Sequence, residues 1–275
     1  MKIISWNIRH RSDIWHSVAG LSADVALLQE ACEPPPALVA QVDVDLEPWR
    51  TDGPATRRWR TSVVGLRPGL AIERIPTRSL PDAGAEELPV SRVGTLSAAR
   101  VVNPSTSESL TLVSMYSVWE SPHKATGGSW IFADASAHRL ISDISGLVGR
   151  KRGHRIIAAG DLNALYGHGE HGSSYWAARY RTIFDRFSAI GLTFVGPQSP
   201  AGRQAFPWPN ELPADSLNVP TYYTTKQTPA TATRQLDFVF ASSEISPRID
   251  VRALNQVDEW GPSDHCRIEI NVRDA

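Results

Sequence analysis

An α+β fold with mostly antiparallel sheets and helices on their outer faces is what this sequence predicts. Three observations carry that reading. Short apolar runs rich in β-branched and aliphatic residues, separated by polar turns, dominate the chain. Two segments instead space their apolar residues helically, and the order of elements lacks the regular strand–helix alternation of a parallel sheet.

Lys2–Ile8 reads as a strand entered at once, and Ala23–Gln29 as a second that stops on Glu30 before a loop holding Pro34, Pro35 and Pro36. Ser62–Leu66, Leu96–Val102 and Leu110–Ser117 have strand content, and the turn Asn103-Pro104-Ser105 makes a hairpin of the last two. Ala133–Leu147 carries Ala137, Leu140, Ile141, Ile144 and Leu147 on one helical face, closed by Gly149. A basic turn, Arg150 to Arg152, leads into a strand at His154–Ala159. A second helix covers Tyr175–Ile190 and stops at Gly191; strands return at Leu236–Ala241, Ile249–Leu254 and Cys266–Val272. Between Gly196 and Pro220 six prolines break all periodicity, which marks a long functional or mobile loop. No repeat or linker interrupts the 275 residues, so one domain is expected.

Composition narrows the function by exclusion. With 41 % hydrophobic and 21 % charged residues the chain is of ordinary soluble type. A net charge of −1 gives no overall pull on nucleic acid or an anionic membrane, so any basic surface must be local. Cys32 and Cys266 make no disulfide framework, and two reduced thiols are the simpler reading. No signal-peptide pattern or membrane-spanning run occurs, and a cytoplasmic location is the expectation.

Polar residues cluster at the ends of the apolar runs: Asn7, Glu30, Asp161 with Asn163, Asp237, and Asp264 with His265. Side chains at strand ends can converge on one rim of a sheet. Hard divalent cations take oxygen ligands, and phosphoester hydrolysis needs such a cation, a group for the attacking water, and donors around the phosphoryl oxygens. In that chemistry Glu30 supplies a metal ligand, Asp161 the base, and Asn163 and His265 the donors, with Asp237 fixing the His265 tautomer. Singly, Gly160-Asp161-Leu162-Asn163 is also an ordinary turn and Glu30 an ordinary loop cap. Asp237 inside an apolar strand is harder to dismiss, because a buried carboxylate is costly unless paired.

Together and in order, six segments resemble the endonuclease/exonuclease/phosphatase superfamily, the deoxyribonuclease I/exonuclease III-like fold. They are residues 4–9 (ISWNIR), 26–30 (ALLQE), 113–116 (VSMY), 159–164 (AGDLNA), 235–240 (QLDFVF) and 263–266 (SDHC). The resemblance implies a four-layered α/β sandwich, two sheets face to face with helices outside. It implies Mg²⁺ or Mn²⁺ at Glu30 and Asn7 with Asp264 nearby, Asp161 orienting the water, Asn163 and Tyr116 on the phosphate, and His265 backed by Asp237. Two positions depart from the subfamily patterns. Arg9 stands where exonuclease III-like members often have an acid, and Tyr116 where deoxyribonuclease I-like members commonly have His, so neither subfamily's substrate carries over.

Among substrates, DNA or RNA is favoured by Arg57-Arg58-Trp59-Arg60, which interleaves guanidinium and indole, with residues 151–155 (KRGHR) adding charge. Arg9, Arg57 and Arg58 are the candidate substrate-binding residues. A small-molecule or lipid-headgroup phosphate is the alternative, with the Phe206-Pro207-Trp208-Pro209 loop as a pocket wall. A binding module that has lost its chemistry is disfavoured, because every catalytic position holds a competent side chain. Protein partners are not legible.

Overall fold

Strand β1 (Lys2–Asn7) lies at the centre of a five-stranded sheet because both chain ends return to it. It runs parallel to β2 (Val25–Ala31) and antiparallel to the C-terminal strand β13 (Arg267–Val272). β3 (Arg60–Gly65) and β12 (Ile249–Leu254) complete that sheet in the order β12-β13-β1-β2-β3. Edge strand β12 alternates buried and exposed residues, whereas β3 is buried along its whole length, and Asp43 pairs with Gly65 at its end. The structure, a computed structural model, describes residues 1–53, 56–103, 106–120, 133–148 and 154–274. The turn residues Pro104 and Ser105, the closing Gly149, and Arg150, Lys151, Arg152 and Gly153 of the basic stretch fall outside the described residues.

The second sheet has six strands in the order β10-β11-β9-β8-β7-β4. These are β4 (Ile72–Ile75), β7 (Leu96–Val102), β8 (Ser109–Tyr116), β9 (Ile156–Asp161), β10 (Leu192–Gly196) and β11 (Asp237–Ser242). β8 and β9 pair in parallel and the other neighbours antiparallel. The short β5 (Thr77–Ser79) and β6 (Leu88–Val90) form a separate parallel pair. β7 and β8 make the expected hairpin, in register from Leu96 opposite Met115 to Val102 opposite Ser109.

The inner faces meet in one apolar layer, where Ile3, Val25, Leu27 and Val63 face Ala99, Val101, Leu112, Ile157 and Val239. Outside the six-stranded sheet lie α2 (Ala133–Val148) and α3 (Ser174–Ala189). The stripe Ala137, Leu140, Ile141 and Ile144 of α2, with Ile183 and Phe187 of α3, covers Val113, Ala158, Phe238 and Phe240. Phe187 stacks on Phe240 with ring centroids 3.8 Å apart. Outside the five-stranded sheet, α1 (Ile14–Ala19) sets Ile14, Trp15 and Val18 on Ile4, Trp6, Ala26 and Leu28. Helix, sheet, sheet, helix is the four-layered sandwich that the motifs implied.

The differences from the sequence reading have local causes. β2 does not stop at Glu30 but continues to Ala31, because a register shift between Leu28 and Ala31 keeps it paired with β3 while Glu30 turns out of the ladder. α1, β4, β5, β6 and β10 were not expected. α1 is a six-residue helix too short for periodicity to register, and β10 follows α3 after the two turn residues Ile190 and Gly191 (φ +82°). Residues 197–219 form no strand or helix, yet Asn255 binds the Arg203 backbone at both N–H and C=O, and Gln204 donates to the Ser216 carbonyl.

Candidate active site

Strand polarity alone brings the expected residues to one rim. β1 and β2 are parallel, so Asn7 at the end of β1 pairs with Gln29 and stands beside Glu30. β8 and β9 are parallel, which sets Tyr116 opposite Asp161 at their C-terminal ends. β11 runs antiparallel to β9, so its first residue, Asp237, meets Asp161. β13 is antiparallel to β1, and the turn before it delivers Asp264 and His265 to the same edge.

The segments that carry these side chains are tied to one another by hydrogen bonds between distant parts of the chain. Ser263 donates to the Asn7 carbonyl (2.7 Å) and the fully buried Trp6 donates its indole N–H to the His265 carbonyl (2.9 Å), tying the Asp264-His265 turn to β1. The Thr221 hydroxyl accepts from the Leu236 and Asp237 amides (3.0 and 3.1 Å), fixing the start of β11. Gly160 (φ +156°) lets β9 pass against β8: a Cβ there would lie 1.8 Å from the Met115 carbonyl oxygen. Among the described residues six non-glycines have positive φ, and four of them, Arg9, His10, Glu30 and Asn163, belong to this rim, as expected where backbone strain is retained for positioning.

The resulting network is continuous and buried. His265 Nδ1 is 2.8 Å from Asp237 Oδ2, and its Nε2 is 3.7 Å from Asp161 Oδ2. Asn7 Nδ2 donates to Asp161 (3.0 Å) and Glu30 (3.3 Å), while its Oδ1 accepts the Arg9 amide (2.9 Å), which settles the orientation of the amide. Asn163 donates its backbone N–H to Asp161 Oδ1 (2.8 Å) and its side-chain amide to the Ser117 carbonyl (2.9 Å). Arg9 Nε lies 3.4 Å from Asp264. Trp59 packs edge-on against Tyr116 with centroids 5.0 Å apart. These groups open on a cavity of about 280 Å³ lined by Asn7, Arg9, Glu30, Tyr116, Asp161, Asn163, Asp264 and His265, with Arg57 at its mouth.

Burial and charge divide the protonation states. Burial opposes the charged imidazole of His265, but the Asp237 and Asp161 carboxylates outweigh it and push the ring up to about 10. Burial pushes the Asp161 carboxyl up to about 7, with Asp237 adding to the rise and the His265 charge opposing it. Burial raises Glu30 as well, but hydrogen bonds from His10, Tyr116 and Asn7 and the His265 charge leave it below the usual carboxylate value. Burial and the nearby Glu30 and Asp161 hold the Tyr116 phenol well above its ordinary range, so it is a neutral donor.

Of the expected site residues, Asn7, Arg9, Glu30, Arg57, Tyr116, Asp161, Asn163, Asp264 and His265 line the cavity, and Asp237 stands directly behind His265. Arg58 is exposed and does not line it, and neither does any residue of the Phe206–Pro209 loop; Phe206 is 81 % exposed. Three lining residues were not expected: His10, Trp119 and Tyr222, whose ring is 4.8 Å from that of His265. Only His10 left a trace in the sequence, as a polar residue just beyond Asn7.

A hard cation fits this rim on the chemistry of its donors. Glu30 and Asp264 offer carboxylate oxygens, a short oxygen set that Mg²⁺ completes with water, while Asn7 turns its Nδ2 donor to Glu30 and its oxygen to the Arg9 amide and so orients the Glu30 carboxylate. Among the described residues no three His, Cys, Asp or Glu side chains form a ready-made cage.

Fold and site together define a phosphoester-hydrolase scaffold. A family model for the endonuclease/exonuclease/phosphatase family matches residues 4–265, and the chain belongs to that family, whose members are phosphoester hydrolases and generally use divalent metals. Among solved structures it is similar to the endonuclease domain of TRAS1, a telomere-specific non-LTR retrotransposon (16 % identity, TM-score 0.61, covering 99 % of this chain and 98 % of that one). It is also similar to the AP endonuclease LMAP from Leishmania major (16 %, 0.63, 100 % and 88 %). The 3'-5' exonuclease NExo from Neisseria meningitidis aligns at 16 % identity and TM-score 0.57, over 99 % and 100 % of the two chains. No curated protein sequence matches. At such identity the structures establish the fold.

Proposed function

We propose that this chain is a divalent-metal-dependent nuclease that hydrolyses phosphodiester bonds of DNA or RNA. The observation that carries the reading is the buried hydrogen-bonded line from Glu30 through Asn7 to Asp161, beside an imidazolium backed by Asp237 and open to one small cavity. Glu30 and Asp264 would hold Mg²⁺ or Mn²⁺, with Asn7 orienting the Glu30 carboxylate, and the bound ion would neutralise charge on the phosphoryl oxygens. Asp161 orients the attacking water and takes its proton; the Asn7 and Asn163 contacts fix the direction of its carboxylate. His265 points its charged ring to where negative charge grows, and Asp237 keeps that ring protonated and in place. The neutral Tyr116 phenol and Arg9 add donors at the cavity wall.

Nucleic acid is favoured over a small phosphoester by Arg57, which lines the cavity and offers phosphate contact; the expected stacking face at Trp59 is instead buried, packed against Tyr116 and 5.2 Å beneath the Arg57 guanidinium. The retrotransposon endonuclease domain and the exonuclease among its structural neighbours support the same choice by their named activities. No helix among the described residues is long and apolar enough to cross a membrane.

Supercoiled plasmid, single-stranded DNA, structured RNA, inositol phosphates and a generic diester, each with Mg²⁺, Mn²⁺ or EDTA, test the reading. Nicked plasmid or cut RNA, abolished by EDTA, is expected; turnover confined to the small esters would sink the nuclease assignment. Glu30→Gln is expected to shift the metal titration of activity to higher concentration by on the order of 10-fold or more. An unchanged titration curve removes Glu30 from the metal site. Arg57→Ala is expected to lower the slope of log affinity against log salt by about 1 for polynucleotide, leaving a small diester unaffected. The same change at Arg58, which does not reach the cavity, has the smaller effect; the reverse order would move the substrate path.

A further inference from the structure

We infer that His10 joins Glu30 as a protein ligand of the same cation, a nitrogen donor that favours Mn²⁺ over Mg²⁺ in this site. The inference rests on the metal-dependent reading above and names a ligand that the six motifs do not contain.

The backbone places the two side chains as a pair. His10 donates its amide N–H to the Glu30 carbonyl at 2.7 Å, and both residues are held in the left-handed region, at φ +46° and +47°. Left-handed backbone is costly for a side chain with a Cβ, by about 1–2 kcal/mol per residue, so the arrangement persists because the rim holds it. Side by side, His10 Nδ1 lies 3.2 Å from Glu30 Oε2, and both line the cavity. An octahedral cation with bonds of about 2.1–2.2 Å spaces adjacent ligands about 3.0–3.1 Å apart. The observed hydrogen-bonded separation of 3.2 Å is within about 0.1–0.2 Å of that spacing, and the imidazole is 58 % exposed, free to adjust by tenths of an ångström.

The charged groups around the ring are Glu30, Arg9 and Asp264, and Arg9 is itself engaged with Asp264 at 3.4 Å. The guanidinium is thus partly neutralised, which leaves the carboxylates to set a field favourable to a cation. Coordination needs Nδ1 without a proton: a neutral imidazole binds as the Nε2–H tautomer, and an imidazolium releases one proton to solvent as the metal enters. Imidazole nitrogen suits later first-row ions, whereas Mg²⁺ prefers oxygen and water. A His in this position tunes the choice of ion without altering Glu30.

Spin-echo modulation of bound Mn²⁺ reads the ligand directly, and calorimetry with Mn²⁺ and with Mg²⁺ reads the preference, on the full chain and on His10→Gln and Glu30→Gln. Wild type is expected to show directly bound ¹⁴N, which disappears in His10→Gln. In that variant Mn²⁺ affinity falls on the order of 10-fold while Mg²⁺ affinity changes less than about 2-fold. A wild-type signal without ¹⁴N, a signal that survives in His10→Gln, or an equal loss for both ions would overturn the ligand role; the last means that His10 only orients Glu30. If Glu30→Gln weakens Mn²⁺ and His10→Gln does not, this inference alone fails. If neither variant changes Mn²⁺ binding, the metal reading of the rim fails with it.

Discussion

Asp161→Asn is expected to lower kcat by at least about 100-fold, or roughly 2.7 kcal/mol of barrier, while the thermal midpoint stays within a few degrees. The substitution keeps the shape of the side chain and an oxygen for the Asn163 amide, so β9 and its neighbours lose little. What it removes is the proton acceptor. The replacement NH₂ also confronts the donor Nδ2 of Asn7, now 3.0 Å from Asp161 Oδ2, and the charged ring of His265, so the residue must turn or leave those donors unpaired. Single-turnover hydrolysis of a labelled oligonucleotide, with binding measured separately, checks this. Chemistry within about 3-fold of wild type would move the base to another group.

The second large effect is on the fold. Gly160→Ala is expected to cost roughly 3 kcal/mol or more and to lower the melting midpoint by about 6–12 °C. The added Cβ would fall 1.8 Å from the Met115 carbonyl oxygen and 2.9 Å from its carbon, both backbone atoms of the strand paired with it. No rotamer relieves that contact, so β9 must part from β8 at the residue before Asp161, and activity falls with stability. Gly167→Ala is the control. It has φ +76° but nothing within 4 Å of the new Cβ, so it bears only the left-handed penalty of about 1–2 kcal/mol. Equal midpoints for the two variants would show that β8 and β9 do not approach so closely in solution.

Much of this site could be read from the chain because catalysis needs side chains on rigid supports, and strands announce where they end. Asp237 is the clearest case. A carboxylate opening an apolar run demands a buried partner, and His265 at 2.8 Å is that partner. Glu30 was legible as a residue but not in its geometry: the register shift that turns it out of the ladder depends on the pairing of β2 with β3. Ser263 and Thr221, which pin the turns carrying His265 and Asp237, look like any loop hydroxyl until their acceptors and donors are known. Tyr222 and Trp119 are equally silent, since aromatics are far more often packing residues than cavity walls. Arg57 and Arg58 are adjacent and chemically identical in sequence, and only the path of the loop sends one to the cavity mouth.

By itself, then, the sequence determined which chemical groups stand together: carboxylates, amides and an imidazole, in family order, at strand ends. Residue type and local hydrophobic pattern are sufficient for that, because they record which groups must be fixed and which strands can fix them. Tertiary structure alone decided which polar neighbours share an edge. Parallel β1–β2 and β8–β9 with antiparallel β11 and β13 bring six distant segments to one rim, and strand polarity follows from how the chain crosses between layers. The pairing of His10 with Glu30 belongs to the same category. It needs two left-handed residues twenty positions apart to meet through one backbone hydrogen bond, a contact that only the folded chain makes.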